Sequence, residues 1–218
     1  MQIFNFSKTS KRNIFASLAS IVFLFCSINS QAQLKYAENR DYETLPVVIE
    51  ETEEPKVIEF FWFGCPHCNK LRGFVEKWLE DGIPEGVEFE IVPATLESDR
   101  WSRPSRAFYT MKFLKKEELF NDYFDAIFKE KKNALLANDA AVKNFFTSRG
   151  VTEEEFNKAW NSLEVKQNVA RAADLFGKSG IDGVPAFIVN GKYSVPLKGD
   201  ESDGYKKTFD IIHSLLRK

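Results

Sequence analysis

Apolar residues run almost unbroken from Val57 to Phe63, with Glu59 the one charge among them. An apolar run of that length without alternation predicts a central strand over 56–63, covered on both faces. After Gly64 the spacing becomes helical. Leu71, Phe74, Val75, Trp78 and Leu79 share one face of a helix predicted from about Cys65 to Asp81, and the Gly82–Gly86 breaker cluster closes it. Residues 87–94 alternate apolar and charged positions and then turn apolar, which predicts a second strand.

From about residue 97 to about 171 no strand pattern occurs. Phe108, Met111, Phe113 and Leu114 suit one helix; Leu119, Tyr123, Phe124 and Ile127 suit a second. Val142, Phe145 and Phe146 suit a third, ending at Gly150. Thr152 with Glu155 forms a capping box opening a fourth, with Phe156 and Trp160 on its apolar face. A fifth is predicted from Leu163 through Phe176. Strands return with Ala186–Val189 and Lys192–Val195, joined by Asn190-Gly191, the dipeptide that supplies the positive φ angles of a type I′ turn. Tyr205, Phe209, Ile212, Leu215 and Leu216 mark a last amphipathic helix. Residues 33–46 read as a polar lead-in with Tyr42 and Leu45 as anchors, and 50–54 as an acidic loop. The order is strand, helix, strand, helical block, hairpin, helix. It predicts an α/β core, with an open sheet carrying helices on both faces and one helical insertion.

The start of the chain changes its accounting. Lys8, Lys11 and Arg12 precede a nearly continuous apolar or small stretch from Ile14 to Ile28, too short for a comfortable membrane span, and Ser30-Gln31-Ala32 fits a small-x-small cleavage site. Residues 1–32 are therefore expected to be a signal peptide removed after Ala32 on export. Phe25 before Cys26 does not suit a lipoprotein signal. Cleavage leaves 186 residues and moves the formal charge from -2 to -5, because three basic and no acidic residues are lost. A mildly acidic chain argues against binding a phosphate backbone.

Cleavage also removes Cys26, leaving Cys65 and Cys68 alone. Exported proteins usually use cysteines for distant structural bridges, whereas a bridge at this spacing closes a tiny loop and stabilises little. The pair points instead to thiol–disulfide chemistry, in which the thiolate is the reactive species. Cys65 is expected at the first helical turn, where free backbone N–H groups and the dipole favour a negative sulfur, with Pro66 tolerated beside it. His67 is either a positive partner for that sulfur or a solvated turn histidine. Cys68, one turn further in, is expected to be more buried and to act as the resolving thiol. A low-pKa Cys65 would also be a good leaving group and the disulfide an oxidising one. A zinc site would need two further ligands, and the only other histidine is His213.

Two more positions bear on the site. Glu59 is either buried, with a raised pKa that would let it relay protons to Cys68, or a side chain reaching solvent at the sheet edge. Pro185, after Val184, precedes a strand. Spacing alone favours an ordinary trans proline there, but facing a Cys-x-x-Cys a cis bond would offer the Val184 backbone to an extended substrate. Trp62 and Phe63 are read as packing or as an apolar rim beside the cysteines.

Glu59-Phe60-Phe61 followed by Cys65-Pro66-His67-Cys68 resembles the DsbA family of periplasmic thiol-disulfide oxidoreductases. So do Gly150–Phe156 with Ala159-Trp160-Asn161-Ser162, and the segment from Gly183-Val184-Pro185 to Tyr193. The resemblance implies a thioredoxin fold built from 33–96 and 172–218, with an all-helical domain, 97–171, inserted. It implies a monomeric periplasmic enzyme, free of metal and other cofactors and without stable membrane association. Such an enzyme would pass its Cys65–Cys68 disulfide to reduced or unfolded exported proteins and be reoxidised by a DsbB-like quinone-linked membrane protein. It also implies a cis Pro185, a substrate-facing Val184 and a buried acid at Glu59.

Two positions depart from that pattern. Several members carry a second acidic residue four positions after the second cysteine and a lysine in the following strand near the buried glutamate. Here those places hold Arg72 and Ile91. A disulfide isomerase or reductase of the same fold, or a non-catalytic peptide-binding or chaperone module, would share much of this sequence. Isomerases of the DsbC type, however, carry a separate N-terminal dimerisation domain, for which the stretch before residue 56 leaves little room.

Overall fold

The computed structural model describes residues 35–218, apart from Glu97 and Asp200. The expected signal peptide, residues 1–32, lies outside the described residues. Among them the strands are β1 (Glu43–Thr44), β2 (Lys56–Phe61), β3 (Glu88–Pro93), β4 (Ala186–Val189) and β5 (Tyr193–Pro196). The helices are α1 (Pro66–Asp81), α2 (Asp99–Phe113), α3 (Leu119–Phe128), α4 (Asp139–Thr147), α5 (Glu153–Trp160), α6 (Leu163–Ser179) and α7 (Ser202–Leu215). The five strands form one sheet in the order β1-β5-β4-β2-β3, with β3 parallel to β2 and the other pairs antiparallel.

All six residues of β2 are buried, as its unbroken apolar run requires. Alternation sends Val57 toward α1 and α7, where it joins Leu71, Val75, Trp78 and Ile212. Phe60 points to the other face and meets the Phe176 ring of α6 edge-on at 5.4 Å. Phe61, at the end of the strand, packs on Phe63, Phe108 and Phe120, which ties the sheet to the helices between β3 and β4.

Local signals are realised closely. The α5 capping box is complete, with Thr152 and Glu155 each bonding the other's backbone. In the β4–β5 turn Asn190 and Gly191 have φ of 51° and 63°. Gly191 has a second reason to lack a side chain, since a Cβ there would sit 2.1 Å from the Glu50 carbonyl oxygen.

Other features differ from the sequence reading. β2 stops at Phe61 rather than Phe63, because the chain turns there: the Cys65 N–H donates to the Trp62 carbonyl at 2.9 Å. The lead-in contains β1, a strand of two residues whose pairing comes from β5, with Tyr42 and Leu45 buried beside it. α6 runs through the expected division between 171 and 172, as the fifth helix read from the sequence also does. Arg171 is the reason that helix serves both parts: its guanidinium binds Glu90 of β3 at 2.7 Å and Glu50 at 2.6 Å. Lys56 joins them, contacting Glu50 at 2.9 Å and Glu90 at 2.7 Å. No helix among the described residues is long and apolar enough to cross a membrane.

Candidate active site

Cys65 occupies the N-cap of α1, in extended conformation, with Pro66 in the first turn. Its Sγ accepts the Cys68 N–H at 3.2 Å, so the helix's free donors converge on this sulfur. Both cysteines are buried free thiols. Their environments pull them apart. The hydrogen bond from the Cys68 thiol, supported by the backbone N–H groups of Cys68 and His67, outweighs burial and holds the Cys65 thiol down at about 7. Burial, then the Cys65 sulfur beside it, pushes the Cys68 thiol well above its ordinary value.

The His67 side chain is exposed, and its contribution to Cys65 comes through its backbone N–H. Of the two readings open to His67, its exposed side chain fits the turn histidine, while its peptide N–H at the helix start meets the sulfur. Among the described residues no group of three or more His, Cys, Asp or Glu is placed to hold a metal ion. His213 lies elsewhere, accepting the Trp78 indole N–H at 2.9 Å.

Glu59 is 5% exposed, which excludes a solvent-reaching side chain at the sheet edge. Burial first, and the Cys65 sulfur second, raise its carboxyl to about 8. A cavity of about 80 Å³ is lined by both Glu59 and Cys68 and walled by Ile91, Phe120 and Arg72, large enough for water to join the two groups. Ile91 is the register partner of Glu59 across the β2–β3 pair. Arg72 is turned to α3, where it binds the Asn121 side chain at 2.9 Å and the Asp125 carboxylate. Neither position supplies Glu59 with a cation.

Val184-Pro185 is a cis peptide, and the Cys65 thiol lies 3.3 Å from the Val184 carbonyl oxygen. Beside this contact a groove of about 760 Å³ opens, lined by His67, Val184 and Pro185 together with Leu45, Pro46 and Leu197. Leu45 and Pro46 carried no functional signal, because only the pairing of β1 with β5 brings them here. On the other flank Trp62 packs against Trp101 with ring centroids 4.6 Å apart, and Arg100 lies 5.2 Å from the Trp62 ring. Gly64 is what lets the chain pass this indole, since a Cβ on it would meet the Trp62 ring at 2.4 Å.

A five-stranded sheet with a helix-capping Cys-x-x-Cys opposite a cis-proline loop defines a thioredoxin-fold thiol:disulfide oxidoreductase. The family model described as Thioredoxin matches residues 43–208. Thiol:disulfide interchange protein DsbA of Pseudomonas syringae pv. tomato is 31% identical over 95% of this chain and 95% of its own. The Burkholderia cepacia protein of the same name is 34% identical over 81% of this chain and 84% of its own. The crystal structure of Pseudomonas aeruginosa DsbA covers 84% of this chain and 93% of its own, at 29% identity and a TM-score of 0.73. The chain belongs to the DsbA family of thiol:disulfide interchange proteins, whose fold is the thioredoxin fold with a helical insertion.

Proposed function

We propose that this chain is a dithiol oxidase that passes a Cys65–Cys68 disulfide to reduced polypeptides. The observation that carries the reading is the opposite tuning of two thiols three residues apart, Cys65 down to about 7 and Cys68 upward. In the forward reaction a substrate thiolate attacks Cys65 Sγ of the enzyme disulfide. The Cys65–Cys68 bond breaks, and a substrate–Cys65 disulfide forms. Cys68, a poor thiolate in its buried setting, takes a proton, which Glu59 delivers through the cavity they share. A second substrate thiolate then attacks the substrate sulfur, and Cys65 departs as a thiolate. The substrate gains one disulfide, and the enzyme is left as the dithiol. A low pKa on Cys65 favours that last departure.

The Val184 carbonyl and the groove beside it are assigned to the substrate backbone, with His67 at the rim. We assign 33–96 and 172–218 to the thioredoxin-like part and 97–171 to the insertion, α6 being common to both. The family relationship supports a periplasmic location after removal of residues 1–32, exported proteins as substrates, and reoxidation by a DsbB-like quinone-linked membrane protein. Single-turnover oxidation of a reduced two-cysteine peptide tests the assignment. Cys65→Ala is expected to abolish it, and Cys68→Ala to accumulate no product disulfide. Unchanged peptide oxidation by Cys65→Ala would overturn the reading.

A further inference from the structure

Two runs of chain line the groove beside the Cys65–Val184 contact. Leu45 and Pro46 come from the lead-in, and residues 179–183 from the end of α6 and the loop after it. Each run leads to the same cluster of charges. Glu50 follows Pro46 closely, and Arg171 stands about 12 Å before Ser179 along α6. The Arg171 guanidinium grips Glu90 of β3 with two nitrogens, at 2.7 and 3.1 Å, and reaches Glu50 with one of them, at 2.6 Å. Lys56 of β2 binds the other Glu50 oxygen at 2.9 Å and shares Glu90 at 2.7 Å. Two cations and two carboxylates thus close a ring, and the Lys56 side chain within it is only 8% exposed. Burial works against charge on Glu50 and Glu90, but hydrogen bonds from Arg171 and Lys56 outweigh it and hold both carboxyls below their ordinary range.

We propose that Glu50 and Arg171 are positioning residues for substrate binding: their ion pair ties together the two runs of chain that line the groove and sets its width for an extended polypeptide, an inference that stands on the substrate reading of that groove. The ring has the fixed geometry such a tie needs. A guanidinium fork held between two carboxylates admits little sliding, whereas the contact of Phe176 with Phe60, made by the same helix, is apolar and non-directional. The lead-in is fixed at the same point: the Ile49 N–H donates to the Gly191 carbonyl at 2.9 Å, and the Glu50 carbonyl packs against Gly191. Without the Glu50 carboxylate, α6 keeps its grip on Glu90 but loses its ionic tie to the lead-in. Neither Glu50 nor Arg171 lines the groove itself. The loss therefore falls on the binding of a long substrate and spares exchange at Cys65.

The test compares single-turnover oxidation of two dithiols by the full mature chain. One is a reduced two-cysteine peptide long enough to lie along the groove. The other is dithiothreitol, too small to span a groove of about 760 Å³. In Glu50→Ala the half-saturating peptide concentration is expected to rise about five-fold, while the maximal rate and the dithiothreitol rate change less than about two-fold. Glu50→Gln, which keeps the volume and an acceptor for Arg171, is expected to show the same split at smaller amplitude. Half-saturation unchanged in both variants, or equal losses with peptide and dithiothreitol, would overturn the proposal. The amide signals of Leu45 and Ile181 are read in Cys68→Ala carrying the peptide as a mixed disulfide on Cys65. If they stay still, the substrate reading of the groove falls and this proposal with it; if they move while half-saturation is unchanged, the proposal alone falls.

Discussion

The Cys65 thiol sits 3.3 Å from the Val184 carbonyl oxygen, 119 residues away in the chain. One sulfur is therefore addressed from two sides. The helix start offers N–H groups that favour the thiolate, while the cis-proline loop offers a carbonyl that accepts from the thiol. An entering substrate strand meets both at once.

Cys68 supplies the largest single influence holding Cys65 down, through its thiol hydrogen bond. Cys68→Ala should therefore raise the Cys65 midpoint above about 7, while the backbone N–H groups of residues 67 and 68 keep it below that of a free cysteine. Thiolate absorbance against pH in the reduced variant measures this.

Glu59 is a stability cost at neutral pH. Its folded pKa, about 8, is raised above the unfolded value near 4.5. Below pH 4.5 it is protonated in both states and costs nothing by this route. As pH rises toward 8 the unfolded chain ionises, the folded chain does not, and stability falls. Glu59→Gln should then be more stable at pH 7 by up to about 3 kcal/mol, converting the pKa gap to energy. Denaturant unfolding at pH 4 and pH 7 checks the sign: the gap between variant and parent should shrink at pH 4.

Arg72 holds α1 to α3 through Asn121 and Asp125 and does not reach the sulfurs. Arg72→Ala should cost about 1–3 kcal/mol, the scale of lost charged hydrogen bonds. It should leave the Cys65 midpoint where it was. Paired unfolding and thiolate titrations separate the two effects.

Gly64→Ala should force the Trp62 ring aside, because the new Cβ would lie 2.4 Å from it. Overpacking of this kind costs about 1–3 kcal/mol. A changed tryptophan emission spectrum would report the displaced Trp62–Trp101 pair.

Much of this architecture was legible because its signals are local. The unbroken apolar run of β2, the Thr152–Glu155 box and Asn190-Gly191 each define their element within a few residues. Cys65 was readable as a helix-capping sulfur for the same reason. The rest depended on partners distant in sequence. β1 is two residues long and exists only because β5 pairs with it. Arg72 marked a departure from the family pattern, but its engagement by Asn121 and Asp125 follows only from the packing of α1 on α3. His67 was open to two readings, a positive partner for the sulfur or a solvated turn histidine; only the packed helix start presents its peptide N–H to the sulfur and leaves its side chain exposed.

The redox equilibrium of Cys65–Cys68 against a glutathione buffer tests the central claim most directly. If Cys65 is a stabilised thiolate and the disulfide is made to be given away, the enzyme should be almost wholly reduced in a buffer poised at about -270 mV, where thioredoxin is half oxidised. A chain that is half oxidised or more at that poise would hold its disulfide too firmly to donate it, and would contradict the account.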